Sequence, residues 1–274
     1  FIDWREQSYP VWAQPADIYM SECLGTNAAY YGVLKVMEDM ATVLGKKKDV
    51  KKYGQKAEAL KKAINDNFWV EEDGYYASYL YGRQNLTRTQ QSETLGESFC
   101  VLFGIADEER AAKVISSMPV GEFGPPIFSP QIVSQPDYHN NGVWPYVTSF
   151  WGKAAAKVGN ETALMHALAC NVRTASIYAT NYENYSFNTG NPYTTQINSP
   201  NMLWGLSGFM GLFHRTFFGL EFTKEGLALK PFVPTVLAGT RKLEAFPYRG
   251  MKLDITVSGS GNEIASCLVD GKEA

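Results

Sequence analysis

Along the first two-thirds of the chain the apolar positions recur with a helical period. Tyr30, Val33, Leu34, Met37, Ala41 and Leu44 follow i, i+3, i+4, i+7 spacing, and Gly45 is placed to end that helix. Asp49 is placed to cap the next one, whose stripe is Tyr53, Ala57, Leu60, Ile64 and Phe68. The punctuation then repeats. A helix with Leu95, Phe99, Leu102 and Phe103 stops at Gly104, and Asp107 opens its successor. A helix from about Gly142 to Val158 stops at Gly159, and Asn160 opens a helix with Leu164, Leu168, Val172 and Ile177 on one side. A last helix from about Pro200 to Phe218 stops at Gly219. Helix, Gly, short link, Asp or Asn, helix is the pattern of antiparallel helix pairs.

The polar stretches between the pairs are much longer than the links inside them, roughly 70–90, 118–141 and 180–199, and the opening residues 1–25 are irregular. In stacked pairs the inner links lie at one end of the helices and the outer links at the other. The long segments therefore build a single face, and loops of that length in a compact domain are usually functional. From about Leu220 the period changes to two, with Leu227, Leu229, Leu253, Ile255 and Val257 in short alternating runs separated by Gly250, Gly259-Ser-Gly261 and Asp270-Gly271. The expected fold is mainly α: part of an (α/α)6 toroid over 1–219, then a small β-sandwich-like domain over 220–274. The toroid's missing hairpins are expected ahead of Phe1.

Composition narrows the function classes. Apolar residues make up 45% of the 274 and charged residues 19%, enough for a sizeable core. A net charge of -3 leaves no basic footprint for nucleic acid and no attraction to an anionic membrane, and no apolar run is long enough to span a bilayer. Export to the periplasm or beyond is expected if the full-length protein carries a signal peptide. The four cysteines, Cys23, Cys100, Cys170 and Cys267, form no CxxC, and the three His are dispersed, so neither a metal nor another cofactor is expected. GxSxG, P-loop and Rossmann patterns are absent.

The candidate chemistry lies in the long segments. Asn181-Tyr-Glu-Asn-Tyr-Ser-Phe-Asn-Thr-Gly190 sets one carboxylate, Glu183, among aromatic and amide side chains. Aromatic rings stack on sugar faces, amides bond hydroxyls, and a carboxylate moves a proton. The opening segment offers Asp3 beside Trp4 and Arg5, with Glu6, Asp17 and Glu22 as rival acids. Cleaving a glycosidic bond needs one protonated carboxyl for the leaving oxygen, and inversion needs a second, ionised one to activate water. The pair considered is Asp3 as acid and Glu183 as base. Candidates for substrate contact are Trp4, Arg5, Trp12, Glu93, His139, Asn140, Trp144, Tyr182, Tyr185 and Gln196. Glu93 also stands where a carboxylate favours a helix start. Trp69, Trp151 and Trp204 have the spacing of core residues, and His166 and His214 of structural ones.

Four segments together resemble the six-hairpin glycosidases of glycoside hydrolase families 63 and 37, the processing α-glucosidases, mannosylglycerate hydrolases and trehalases. They are Asp3-Trp4-Arg5 with Ser8-Tyr9-Pro10, then Tyr138-His139-Asn-Asn-Gly142-Val-Trp144-Pro145, then Tyr182-Glu183-Asn-Tyr185, then Gln196 to Trp204. The resemblance implies an inverting glycosidase acting on α-linked gluco- or manno-configured oligosaccharides or glycosides, with Asp3 as general acid and Glu183 as general base. Trp4-Arg5-Glu6 is not the usual continuation after the acid in either family. Two other readings fit the same residues: a non-catalytic carbohydrate-binding toroid, and a phosphorylase in which phosphate replaces water.

Overall fold

The structure is a computed structural model that describes residues 8–82 and 84–273. The chain divides into two compact units, Phe1–Phe209 and Met210–Ala274.

The larger unit is mainly helical. A short α1 (Pro15–Met20) leads into the pairs α2 (Leu24–Val43) with α3 (Lys47–Asn67), α4 (Thr94–Leu102) with α5 (Glu108–Ser117), and α6 (Pro145–Lys157) with α7 (Glu161–Tyr178), followed by α8 (Leu203–Leu212), whose last three residues fall in the smaller unit. Within each pair the helices pack on one another, while α2 packs on α4 and α4 on α6. The first helices of the pairs thus form an inner row. Burial follows from that layering. Inner α6 buries Val147, Thr148, Ser149, Trp151, Gly152, Ala154 and Ala155, and α4 buries Gly96, Glu97, Ser98, Cys100 and Val101. Outer α3 buries only Ala57 and Ile64. Small residues on α4 and α6 let their backbones approach closely, and Trp151 fills the largest fully buried position. Burying one such large apolar side chain is worth about 1.5–3 kcal/mol.

The predicted punctuation is present. Gly45, Gly104 and Gly159 each follow a helix end with φ of 67°, 75° and 75°, where a side chain would be strained. Asp107 and Asn160 cap α5 and α7 by accepting from the N–H groups of Arg110 and Ala163. Asp49 does not cap α3: that helix starts at Lys47 with Lys46 as its cap residue, and Asp49 lies inside the first turn. The stripe read along α2 is also only partly buried. Leu34 and Ala41 face the core, but Tyr30, Val33, Val36, Met40, Val43 and Leu44 are exposed, because α2 carries apolar residues on two faces and its partners here cover one. Val172 and Ile177 of α7 are likewise exposed.

Very short strands tie the long segments together. β1 (Glu22–Cys23) pairs with β4 (Tyr79–Tyr81), which pairs with β5 (Thr87–Arg88). β2 (Trp69–Val70) pairs with β3 (Tyr75–Tyr76), β6 (Ser92–Glu93) with β7 (Phe128–Ser129), and β8 (Gly142–Val143) with β9 (Tyr185–Ser186). Single backbone bonds continue the series: Leu24 N–H to Ser78 O, Ser78 N–H to Gln91 O, Thr94 N–H to Ile127 O, Ile127 N–H to Gly142 O, and Phe187 N–H to Asn141 O. The residues entering α2, α4 and α6 are therefore bonded into one rim, and the N-termini of all three inner helices lie on it.

The smaller unit holds a turn of π-helix (Phe213–Phe217) and three antiparallel hairpins: β10 (Leu220–Phe222) with β11 (Leu227–Leu229), β12 (Gly239–Tyr248) with β13 (Met251–Gly259), and β14 (Leu268–Val269) with β15 (Lys272–Glu273). Phe222 stacks on Phe246 and Tyr248, and the Arg215 guanidinium lies 4.8 Å over the Phe222 ring.

Replacing Asn160 by Ala removes a side-chain cap and is expected to cost about 1 kcal/mol. Asp49→Ala, which removes only a first-turn charge, should cost less than half of that. Urea unfolding of the two variants against wild type checks the order.

Candidate active site

The larger unit contains a cavity of about 350 Å³, at the lower end of the range of small-ligand sites. Its wall is apolar and aromatic: Leu95, Ile127, Phe128, Trp144, Tyr146, Val147 and Trp204. Glu93 and His139 supply its polar groups. Each element contributes from the rim. Glu93 is the last residue before α4, Trp144 the last before α6, and Trp204 stands in the first turn of α8. Four of the wall residues, Ile127, Phe128, Trp144 and Val147, join Ile132 and Tyr138 behind them in one buried cluster that fixes the ring positions.

The rings are mutually oriented. Trp144 lies 5.2 Å edge-on to Tyr138, 4.9 Å from His139 and 5.8 Å from Trp204, and its indole N–H donates to Tyr138 O at 3.2 Å. The segment from Tyr138 to Gly142 turns so tightly that a Cβ on Gly142 would stand 1.8 Å from Tyr138 O. Asn141 completes the turn in the left-handed region at φ 49°. Tyr138, itself buried, donates its hydroxyl to Glu183 Oε1 at 3.1 Å. Glu183 is held from behind, its N–H bonded to Ser199 O and the neighbouring Asn184 locked to Ile197 and Asn198. The base candidate is thus one hydrogen bond from the aromatic wall.

The opening segment reaches the same place. Ser8 Oγ lies 2.7 Å from His139 Nδ1, Gln135 donates to Tyr9 O, and the Tyr9 ring meets Tyr79 at 6.0 Å. Asp3, Trp4, Arg5 and Glu6 lie outside the described residues. Of the rival acids, Asp17 accepts from the N–H of Gln14 at the start of α1, and Glu22 is exposed. Among the other candidates, Trp12 is half exposed and packs on Tyr81 at 5.0 Å. The Asn140 side chain is used inside its own loop, bonding Ile132 on both sides and Gln135 O. Tyr185 is fully buried and accepts from the N–H of Tyr182, whose hydroxyl meets that of Tyr193 at 3.0 Å. Gln196 is exposed and bonds Asp137 O through its backbone. Trp204, whose spacing predicts a core residue, instead lines the cavity with 43% of its surface exposed. Its signal was its place at the start of a helix that opens on the rim.

Glu93 differs from an ordinary cap. Burial pushes its carboxyl up to about 7, against the pull of hydrogen bonds from the N–H groups of Gly96 and Leu95. Glu97, one turn further on, is buried and pushed up as well; Oε1 accepts from Tyr76 N–H at 2.7 Å and Oε2 has no partner among the described residues. Burial also raises the Cys23 and Cys100 thiols. His166 bonds Gly121 O from α7. Among the described residues no group of three His, Cys, Asp or Glu is placed to hold a metal ion, and no helix is long and apolar enough to cross a membrane.

A cavity of aromatic walls with one buried carboxyl group, built on the entries of paired helices, suits a carbohydrate ligand. The chain matches the mannosylglycerate hydrolase MGH1-like glycoside hydrolase domain over residues 7–205, and it belongs to that family. Among solved structures it is similar to a sialidase, with a TM-score of 0.72 at 17% identity over 93% of this chain and 26% of that one. It is also similar to a wild-type glycosidase, with a TM-score of 0.56 at 14% identity over 77% of this chain and 55% of that one. At such identities the likeness shows the fold, and the chain spans about a quarter of the first structure and about half of the second. No curated protein matches the sequence.

Two outcomes follow from this geometry. The folded state holds the Glu93 proton more tightly than the unfolded chain, so stability falls as pH rises from the ordinary carboxylate range to about 7. The full loss is about 3 kcal/mol. Between pH 5 and 8 the thermal midpoint of wild type should drop more than that of Glu93→Gln, with Glu97 adding a slope common to both. Gly142→Ala forces the Tyr138 turn apart and should cost more than about 2 kcal/mol, read by urea unfolding.

Proposed function

We propose that this chain is part of an (α/α)6-toroid glycosidase that cleaves α-linked gluco- or manno-configured sugars with inversion. Asp3 is its general acid and Glu183 its general base. The observation that supports this reading is the bond from Tyr138 to Glu183 Oε1, which orients a rim carboxylate beside the aromatic wall. Oε2 is then left to take a proton from water. The Ser8–His139 contact supports the other half, because it ties the opening segment, with Asp3 five residues earlier, to the same wall.

In this mechanism the sugar stacks on Trp144 and Trp204. Asp3 donates its proton to the leaving oxygen while water, deprotonated by Glu183, attacks the anomeric carbon from the opposite face. Inversion requires the two carboxyls to stand roughly 6.5–9.5 Å apart, which leaves room for that water.

Asp3→Asn and Glu183→Gln in the full chain should each lower kcat on an α-glucoside or α-mannoside by about 10²–10⁴ with little change in KM. Tyr138→Phe, which frees the base without removing it, should cost about 10-fold. NMR of the first-formed anomer should show β-configured product from an α-linked substrate. Wild-type turnover in both carboxyl variants would overturn the assignment, and an α-anomer first would overturn inversion.

A further inference from the structure

We propose that Glu93 is the sugar-recognition group of the cavity, its carboxyl hydrogen-bonding one hydroxyl of a pyranoside whose apolar face lies against Trp144 and Trp204. The substrate class rests on the glycosidase reading above. The recognition role rests on the geometry around Glu93.

Capping alone does not account for this residue. Helix starts favour Ser, Thr, Asp and Asn, whose short side chains reach the second or third N–H. A Glu there must fold back, and here it does so inside the protein, with only 8% of its surface exposed. Gly96 N–H donates to Oε2 at 3.1 Å. Two glycines close on the same oxygen: a Cβ on Gly25, in the first turn of α2, would meet Oε2 at 2.8 Å, and one on Gly96 at 2.6 Å. The carboxyl is thus seated in a slot between the N-terminal turns of two helices. Among the described residues no Lys or Arg forms an ion pair with it. Burying an unpaired carboxyl is costly, and a neutral Ser or Asn cap would avoid that cost.

Glu93 also lines the cavity, whose remaining lining is aromatic and aliphatic except for His139. A pyranoside brings what such a site lacks: an apolar face for the indoles and an edge of hydroxyls for one fixed polar group. With its carboxyl raised to about 7, Glu93 near neutrality is divided between a form that only accepts and a form that also donates, and a hydroxyl suits either.

The test uses the full chain with methyl α-mannopyranoside, methyl α-glucopyranoside and their monodeoxy analogues. Binding is followed by calorimetry, so that it reads out whether or not turnover occurs. Wild type should bind the parent glycoside about 10–100-fold more tightly than the analogue lacking the contacted hydroxyl. Glu93→Ala should bind parent and analogue alike, while Glu93→Gln, which keeps an amide in the slot and the bond from Gly96, should retain most of the discrimination. A merely structural Glu93 would lower the thermal midpoint of Glu93→Ala and leave the parent-to-analogue ratio at its wild-type value, which overturns the proposal. The same follows if wild type discriminates no monodeoxy analogue. Discrimination dependent on Glu93 without turnover dependent on Asp3 and Glu183 supports recognition and overturns the glycosidase reading; the reverse pattern does the opposite.

Discussion

The structure of the larger unit depends on a row of backbone hydrogen bonds no more than two residues wide. Leu24 to Ser78, Ser78 to Gln91, Thr94 to Ile127, Ile127 to Gly142 and Asn141 to Phe187 join segments scattered over more than 160 positions of sequence. None belongs to a sheet large enough to stand alone. Two of them satisfy the first N–H of a helix, Leu24 of α2 and Thr94 of α4, which has no partner within its own helix, and the other three join the segments that lead up to α4 and α6. The long segments therefore meet at the end of the bundle where helices begin, and the positive ends of the inner helix dipoles face the same rim.

That arrangement explains why acids and aromatics gather there. A carboxylate at a helix N-terminus is favoured by the dipole, so Glu93 can be buried where an isolated charge could not. The compensation is incomplete, which is why its carboxyl stays raised. Aromatic residues at helix entries, Trp144 before α6 and Trp204 at the start of α8, are held by the helix behind them and open toward the rim in front. Tyr138 belongs to both worlds: its ring packs in the cluster behind the cavity and its hydroxyl reaches Glu183.

Much of this was legible in the chain, for local reasons. Glycine after a helix and Asp or Asn before one act within a single turn, so Gly45, Gly104, Gly159, Asp107 and Asn160 read true. Asp49 misled because a first-turn acid and a cap look alike in sequence, and only the backbone at Lys46 tells them apart. Helical stripes were weaker guides. On α4 the residues most deeply buried are small or polar, Gly96, Glu97 and Ser98, because close approach to the neighbouring helices selects size over hydrophobicity there. His139, Trp144 and Glu183 stand out in the sequence because they lie in or beside long polar segments rich in aromatic residues, and Glu93 because it stands at a helix start; the structure lines the cavity with Glu93, His139 and Trp144 and joins Glu183 to Tyr138. Asn140 and Tyr185 share that composition, yet their side chains are turned inward to brace the loops.

By itself, then, the sequence determined the helix pairs, their punctuation, the change to a period of two after Leu220 and the long polar segments between the pairs. All of these follow from interactions between residues a few positions apart. Only the tertiary structure decided which face of α2 is covered, that Trp204 lines a cavity rather than a core, and that Tyr138 joins Glu183 to the aromatic wall. It also decided that two glycines from different helices close on one carboxyl oxygen of Glu93. Each of those depends on surfaces brought together from distant parts of the chain, whose fit no local pattern encodes.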